Sequence, residues 1–191
     1  MKIHLQTPQE IRLKIWKELS RASLDRHHDW RTPVLASVDA DGLPDARTVV
    51  LRQADALAGQ LTFYTDSRSP KVAQLQTQAS AMLVFWSARL SWQLRVRVVC
   101  TVITAGPEVE ALWQGVKQSA AAGDYLSPLA PGAVLPPDRG TADAADASVP
   151  APTHSFAVLH AQVLQMDWLE LSREGHRRAQ LDATTWAWLT P

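Results

Sequence analysis

Between Thr32 and Thr104 the chain carries five runs of strand-type residues, at 32–38, 45–53, 60–65, 81–86 and 92–104, with only turns or one short helix between them. Parallel neighbours need a crossover of about a dozen residues, whereas antiparallel neighbours can be joined by a tight turn. Asp39-Ala40-Asp41-Gly42 supplies such a turn, since Asp-Gly is a strong hairpin signal. Spacing this tight argues for an antiparallel barrel or sandwich rather than a doubly wound sheet.

Helices frame this strand-rich core. Thr7-Pro8-Gln9-Glu10 reads as a capping box with proline at the first helical position. Ile11, Ile15, Trp16 and Leu19 then mark one apolar face of a helix over 7–22, predicted to pack on the outside of a sheet. Ser69-Pro70-Lys71 reads as a second start, with Ser69 as N-cap and Val72 and Leu75 as apolar contacts. Gly106-Pro107-Glu108 opens a third helix carrying Val109, Leu112, Trp113 and Val116. Residues 128–153 gather six prolines among alanine, aspartate and glycine, so a surface loop is expected, mobile over 140–152. Strand character returns over 155–164, 168–171, 177–181 and 186–189. A length of 191 residues fits one domain over 1–191.

Bulk properties remove several classes of function. The 19 basic and 19 acidic residues balance, so nothing global calls for nucleic acid or an anionic membrane. No stretch is long and apolar enough to span a bilayer, and no signal peptide is expected. The single cysteine, Cys100, lies in an apolar run, which predicts a buried structural thiol in a cytoplasmic protein. There is no Gly-x-Ser-x-Gly elbow and no P-loop. His27-His28-Asp29 lacks the second ligand cluster of a zinc site, so no metal is expected there and a solvated loop is.

Three segments carry chemistry: Arg47-Thr48-Val49-Val50-Leu51-Arg52, Phe63 to Lys71, and Trp92-Gln93-Leu94-Arg95. Together they offer cations for a phosphate and polar groups for a planar heterocycle, the demands of flavin mononucleotide (FMN). Arginine forks match phosphate, and a helix start at Ser69-Pro70-Lys71 adds free N–H groups and positive dipole. Lys71 falls in that first turn and Arg68 just before it. Within one strand, Arg47 and Arg52 point to opposite faces, so both serve one ligand only if the strand bends or backbone contributes. Gln93 and Arg95 share a face. Plain readings compete: a solvated arginine, a core Tyr64, a simple cap at Ser69, and packing tryptophans at 168, 186 and 188.

These segments resemble the pyridoxamine 5′-phosphate oxidase family and its flavin-binding relatives, in a divergent branch. The family pattern runs Arg-x-Val-Leu-Leu-Lys, then Phe-Tyr-Thr-Asn with Ser-x-Lys, then an Arg-Gln-Val-Arg-like strand. Here these are Arg47 to Arg52, Phe63 to Lys71, and Trp92 to Arg95, with Val84-Phe85-Trp86 between. Trp168, Glu174-Gly175-His176-Arg177-Arg178 and Trp188-Leu189-Thr190-Pro191 fit the family's C-terminal part more loosely. The resemblance implies a mainly β (α+β) fold, an antiparallel Greek-key split β-barrel with flanking helices. It also implies a homodimer with FMN at the interface. The implied FMN ligands are Arg47, Thr48, Val49, Val50, Leu51, Arg52, Tyr64, Thr65, Arg68, Ser69, Lys71, Gln93, Trp168 and Arg178.

The substrate half departs from the family. Glu174 stands where a substrate-holding arginine is expected, and Pro131-Gly132 replaces a Gln-Ser flavin pair. Trp113 and Lys117 are the nearest candidates for the residues that grip a substrate phosphate. His176 is the candidate for catalytic contact with a small-molecule substrate, beside Glu174 and Lys117, with an exposed loop histidine as its plain reading. Three functions stay open: an oxidase of the vitamin B6 type, an FMN-dependent reductase or oxidase with another substrate, and a non-enzymatic flavin-binding protein.

Overall fold

The computed structural model describes residues 7–135 and 154–191. The expected mobile stretch over 140–152 lies outside the described residues. Helix α1 spans Pro8–Leu24, and its capping box forms: the Thr7 hydroxyl accepts from the Glu10 N–H at 3.2 Å, and the Glu10 carboxylate accepts from the Thr7 N–H at 3.0 Å. Helix α2 spans Pro70–Thr77 and α3 spans Pro107–Val116.

Among the described residues nine strands follow in chain order: β1 Val34–Val38, β2 Pro44–Thr48, β3 Leu51–Asp55, β4 Gln60–Asp66, β5 Ser80–Ser87, β6 Trp92–Ile103, β7 Phe156–Glu170, β8 Arg177–Asp182 and β9 Trp186–Leu189. All pairings are antiparallel, in the order β2-β1-β5-β6-β7-β4-β3, with β8 branching from β7 and β9 from β8. β2 and β3 thus occupy opposite ends of the path, yet only Val49 and Val50 separate them along the chain. A two-residue link reaches roughly 10 Å. The sheet must therefore curl until its two ends nearly meet, and no ladder closes them: a split barrel.

This corrects the expected strand over 45–53. It is two strands with different partners, and the β3–β4 register also shifts between Leu51 and Gln53, at Arg52. The opposite-face argument for Arg47 and Arg52 falls with it. A second correction joins 155–164 and 168–171 into the 15-residue β7, whose register against β6 jumps between Arg97 and Val98. Such a bulge resets the alternation, so a period-two count breaks where the strand does not.

The inward faces of the strands share one core with Ile11, Ile15 and Leu19 of α1, all 0% exposed. α1 therefore plugs the curled sheet rather than lying on its outside, and Leu75 of α2 joins the same core. α3 packs elsewhere, its Val109 and Trp113 meeting Tyr125, Phe156 and Val158. The start of β7 is consequently buried on both faces, because Leu159 and Ala161 belong to the main core.

One charged node sits in this packing. The Glu18 carboxylate, fully buried, pairs with Lys14 at 2.7 Å, His28 at 2.9 Å, Arg89 at 2.6 Å and Arg21 at 3.4 Å. The solvated loop expected at 27–29 holds for the exposed His27 and Asp29 and is corrected at His28, which is buried, its ring also accepting from the Trp30 N–H at 3.1 Å. Burial beside a carboxylate outweighs its apparent position at a helix end. The C-terminal tryptophans also depart from simple packing, since Trp186 is 47% and Trp188 45% exposed on the terminal hairpin. Among the described residues, no helix is long and apolar enough to cross a membrane.

Candidate functional site

The first group forms at the start of α2. Ser69 holds the N-cap position and Pro70 the first turn, as expected, but the serine hydroxyl makes no cap hydrogen bond. It accepts instead from the Lys71 ammonium at 2.6 Å. Burial lowers the Lys71 pKa from its ordinary 10.5, the charge of Arg47 lowers it further, and Asp66 offsets part of this. Among the described residues Lys71 has no carboxylate within ion-pair distance. The helix start therefore presents a half-buried cation and a hydroxyl together at the positive end of the α2 dipole, which suits an anion.

Arg47 braces this group from β2. Its guanidinium donates to Gln74 at 3.0 Å, to Ser37 and to Asp45, tying β1, β2 and α2 together. Gln74 in turn donates to Asp45 at 2.9 Å. Arg47 thus contributes charge and position, with much of its fork already used. Arg68 is used further still: it grips the buried Asp66 through two N–H groups at 3.0 and 2.7 Å and donates to the carbonyls of residues 127–129. Thr65 is buried, its hydroxyl donating weakly to the Asp66 carbonyl at 3.3 Å.

The second group gathers where β3 and β4 meet. The Arg52 guanidinium lies 5.3 Å from the Tyr64 ring centroid, and the Tyr64 ring packs edge-on against Phe156 at 4.9 Å. Arg52 Nε is buried without a hydrogen-bond partner among the described residues. Before it, Thr48 is exposed, Val49 and Leu51 are buried, and Val50 lies between those extremes.

The third group is on the outer face of β6. Gln93 and Arg95 do share that face, opposite inward Trp92 and Leu94. Arg95 pairs with Asp167 of β7, and Arg178 of β8 grips the same carboxylate at 2.9 and 2.8 Å. Burial pushes the Asp167 pKa upward, but hydrogen bonds from Arg178 and Arg95 outweigh it and hold the group low. Two guanidiniums thus share one carboxylate, and Arg95 Nε is buried and unpartnered among the described residues.

Other expected site residues stand apart. Trp168 is fully buried in the core, edge-on to Trp92 at 5.2 Å, which matches its plain packing reading. His176 and Glu174 lie exposed in the β7–β8 turn, where His176 Nδ1 accepts from the Ser172 N–H at 3.2 Å. Lys117 is exposed at the end of α3, while Trp113 is buried beneath it. Pro131-Gly132 does reach the first group: a Cβ on Gly132 would stand 3.8 Å from Pro70 Cγ. Asp45, Asp66, Gln74, Ser155 and Asp167 hold the site arginines, and sequence reasoning missed all five. Asp45 had a usable signal, since residues two apart on a strand share a face.

The orphaned Nε donors of Arg52 and Arg95 and the anion-poor surroundings of Lys71 fit a ligand that is anionic at one end and rich in acceptors. Residues 13–104 match the family model for the pyridoxamine 5′-phosphate oxidase FMN-binding domain. A pyridoxine/pyridoxamine 5′-phosphate oxidase of Paracoccus denitrificans is 39% identical over 82 residues, which are 41% of this chain and 37% of that protein. The match therefore spans little more than a third of that relative's length. The enzyme of the same name from Caulobacter vibrioides is 28% identical over 185 residues, covering 90% of this chain and 79% of the relative. A crystal structure of a pyridoxamine 5′-phosphate oxidase-related, FMN-binding protein from Nostoc punctiforme superposes with a TM-score of 0.68 at 25% identity, covering 98% of this chain and 100% of the other. Sequence match, split antiparallel sheet and full-length superposition agree: the chain is similar along its length to pyridoxamine 5′-phosphate oxidase-like proteins, and its residues 13–104 match the FMN-binding domain of that family.

Proposed function

We propose that this chain binds FMN and acts as an FMN-dependent oxidoreductase. The observation that carries this reading is Lys71, a half-buried cation at a helix start whose one hydrogen bond among the described residues goes to a hydroxyl. Lys71 and Ser69, at the positive end of the α2 dipole, hold the phosphate. Arg47 adds positive charge and fixes α2 against β2. Arg52, Gln93 and Arg95 offer donors to the polar edge of the ring, and the backbone of Thr48 to Leu51 runs alongside it. When bound, FMN supplies the two-electron chemistry, and the protein supplies orientation and electrostatics.

The functional unit in this reading is a homodimer with FMN at its interface. The outer face that carries Gln93 and Arg95 also exposes Trp86 at 48%, and Val34 and Val99 at 37% each. Apolar side chains beside a polar site suit burial against a second copy. A cytoplasmic location fits Cys100, a lone buried thiol whose pKa burial pushes up to about 12.

The substrate reading divides. Relatives named pyridoxine/pyridoxamine 5′-phosphate oxidases make vitamin B6 phosphates the first candidate, with His176 as the contacting residue. Glu174, exposed in the same turn as His176, favours a second reading, a substrate without a phosphate at that position, because a carboxylate repels one. Titration with FMN, followed by flavin fluorescence, tests the proposal: saturable binding is expected, and a chain that takes up no flavin overturns it. Peroxide release with pyridoxamine 5′-phosphate then separates the two substrate readings.

A further inference from the structure

Arg68 was expected among the phosphate ligands, and its surroundings assign it other work. Its Nε and Nη2 donate to the two oxygens of Asp66 at 3.0 and 2.7 Å. Nη2 also faces the backbone carbonyls of Ser127 at 3.0 Å and Leu129 at 3.3 Å, and Nη1 donates to that of Pro128 at 3.3 Å. Ser155, at the approach to β7, completes the node by donating to Asp66 at 2.7 Å and accepting from Arg68 at 3.1 Å. A guanidinium has five N–H donors in one plane, and these acceptors engage Nε, both N–H groups of Nη2 and one of Nη1.

The carbonyls belong to residues 126–135, which run on to Gly132 beside the Pro70 ring. Pro70 lies between Ser69 and Lys71, so this strap runs along the turn that presents the anion-binding groups. We propose that Arg68 is a positioning residue: it clamps the strap of residues 126–135 against the first turn of α2, and so forms one wall of the anion site. The inference rests on the FMN reading for its consequence, but the clamp itself is independent of any ligand. A wall here keeps water from Lys71, and burial is the largest cause of that ammonium's lowered pKa. An anion entering the site then meets a poorly hydrated cation, which binds it more strongly than an exposed lysine does.

Two substitutions separate a clamp from a direct ligand. A phosphate ligand acting by charge alone tolerates lysine, whereas a fork spanning a carboxylate and a row of carbonyls does not. In the full chain without added flavin, hydrogen exchange over residues 126–135 is expected to speed up about tenfold in both Arg68→Ala and Arg68→Lys. FMN affinity is expected to fall roughly tenfold in both. Unchanged exchange over 126–135 overturns the clamp, and so does an Arg68→Lys variant with full FMN affinity beside a weakened Arg68→Ala. Should Arg68→Ala fail to fold, Asp66→Asn loosens the same fork at constant size, and its exchange over 126–135 decides. If the wild-type chain takes up no FMN, the flavin reading falls while the exchange result still decides the clamp.

Discussion

Glu18 and Lys71 are both charged groups withdrawn from water, and the chain surrounds them in opposite ways. Glu18, buried in α1, has drawn cations from its own helix and from the β5–β6 turn at Arg89, together with the His28 ring. Lys71, half-buried at the start of α2, is left with the Ser69 hydroxyl and with Arg47, a like charge, nearby. A buried charge given several partners within ion-pair distance ties elements together. One left short of partners keeps an unmet demand that a ligand can meet. The same residue types thus mark structure in one place and a site in the other, and local balance tells them apart.

Removing the satisfied charge is expected to have the largest effect. Glu18→Ala leaves His28 buried without its carboxylate and is expected to cost about 3–5 kcal/mol of stability, read as a lowered denaturant midpoint. The wild-type pH profile carries the same contact. Burial pushes the Glu18 pKa upward, but hydrogen bonds from Lys14 and His28 and the charges of Lys14 and Arg89 bring it from 4.5 to about 2. A depressed carboxylate pKa contributes stability that is complete above about 4.5 and lost as pH falls toward about 2. Glu18→Gln is expected to flatten that part of the acid unfolding curve.

Next comes the unsatisfied charge. Lys71→Ala removes a charged hydrogen bond to phosphate worth about 1.5–3 kcal/mol, a loss of roughly ten- to hundredfold in FMN affinity. Riboflavin, which lacks the phosphate, is expected to bind both forms alike in the same titration. If Lys71→Ala instead lowers stability as much as Glu18→Ala, the comparison fails, because Lys71 would then be a structural charge. A smaller effect appears on raising pH. Lys71 deprotonates below its ordinary 10.5, so FMN affinity is expected to decline on the alkaline side before free lysines titrate. Lys71→Arg is expected to remove that decline, read by fluorescence titration across pH.

The smallest effect sharpens the contrast at Ser69. A serine N-cap ordinarily contributes about 1 kcal/mol, but Ser69 makes no cap bond. Ser69→Ala is therefore expected to leave stability within about 0.5 kcal/mol while weakening FMN binding by about 0.5–1.5 kcal/mol. Calorimetric melting and flavin titration read the two arms separately.

Local signals made part of this legible. The α1 capping box, the Pro70 helix start and the shared face of Gln93 and Arg95 each rest on neighbours a few residues away, and each formed as expected. The break between β2 and β3 left no such mark, because Val49 and Val50 continue an apolar β-forming run straight through it. Partners of the arginines were harder still. Asp167 meets Arg95 only through the β6–β7 register, and two of the carbonyl acceptors of Arg68 lie 59 and 61 residues further along. Cations announce a site in sequence, but which of them are already spent depends on long-range pairing that composition and spacing do not encode.

The Val49-Val50 link has a mechanical consequence. It is where the barrel wall is held by the covalent chain rather than by a ladder, with the Val49 N–H donating to the Pro33 carbonyl at 3.0 Å. β6, by contrast, is bonded along both sides, to β5 and to β7. The barrel therefore has a grain, stiff across β5–β6–β7 and yielding along the β2/β3 seam, where separation breaks no interstrand hydrogen bond. Thr48 to Arg52, the segment expected to run along a bound flavin, lies on that seam. The fold leaves its slack beside the backbone proposed to run along the flavin, and its rigidity on the face that carries Gln93 and Arg95.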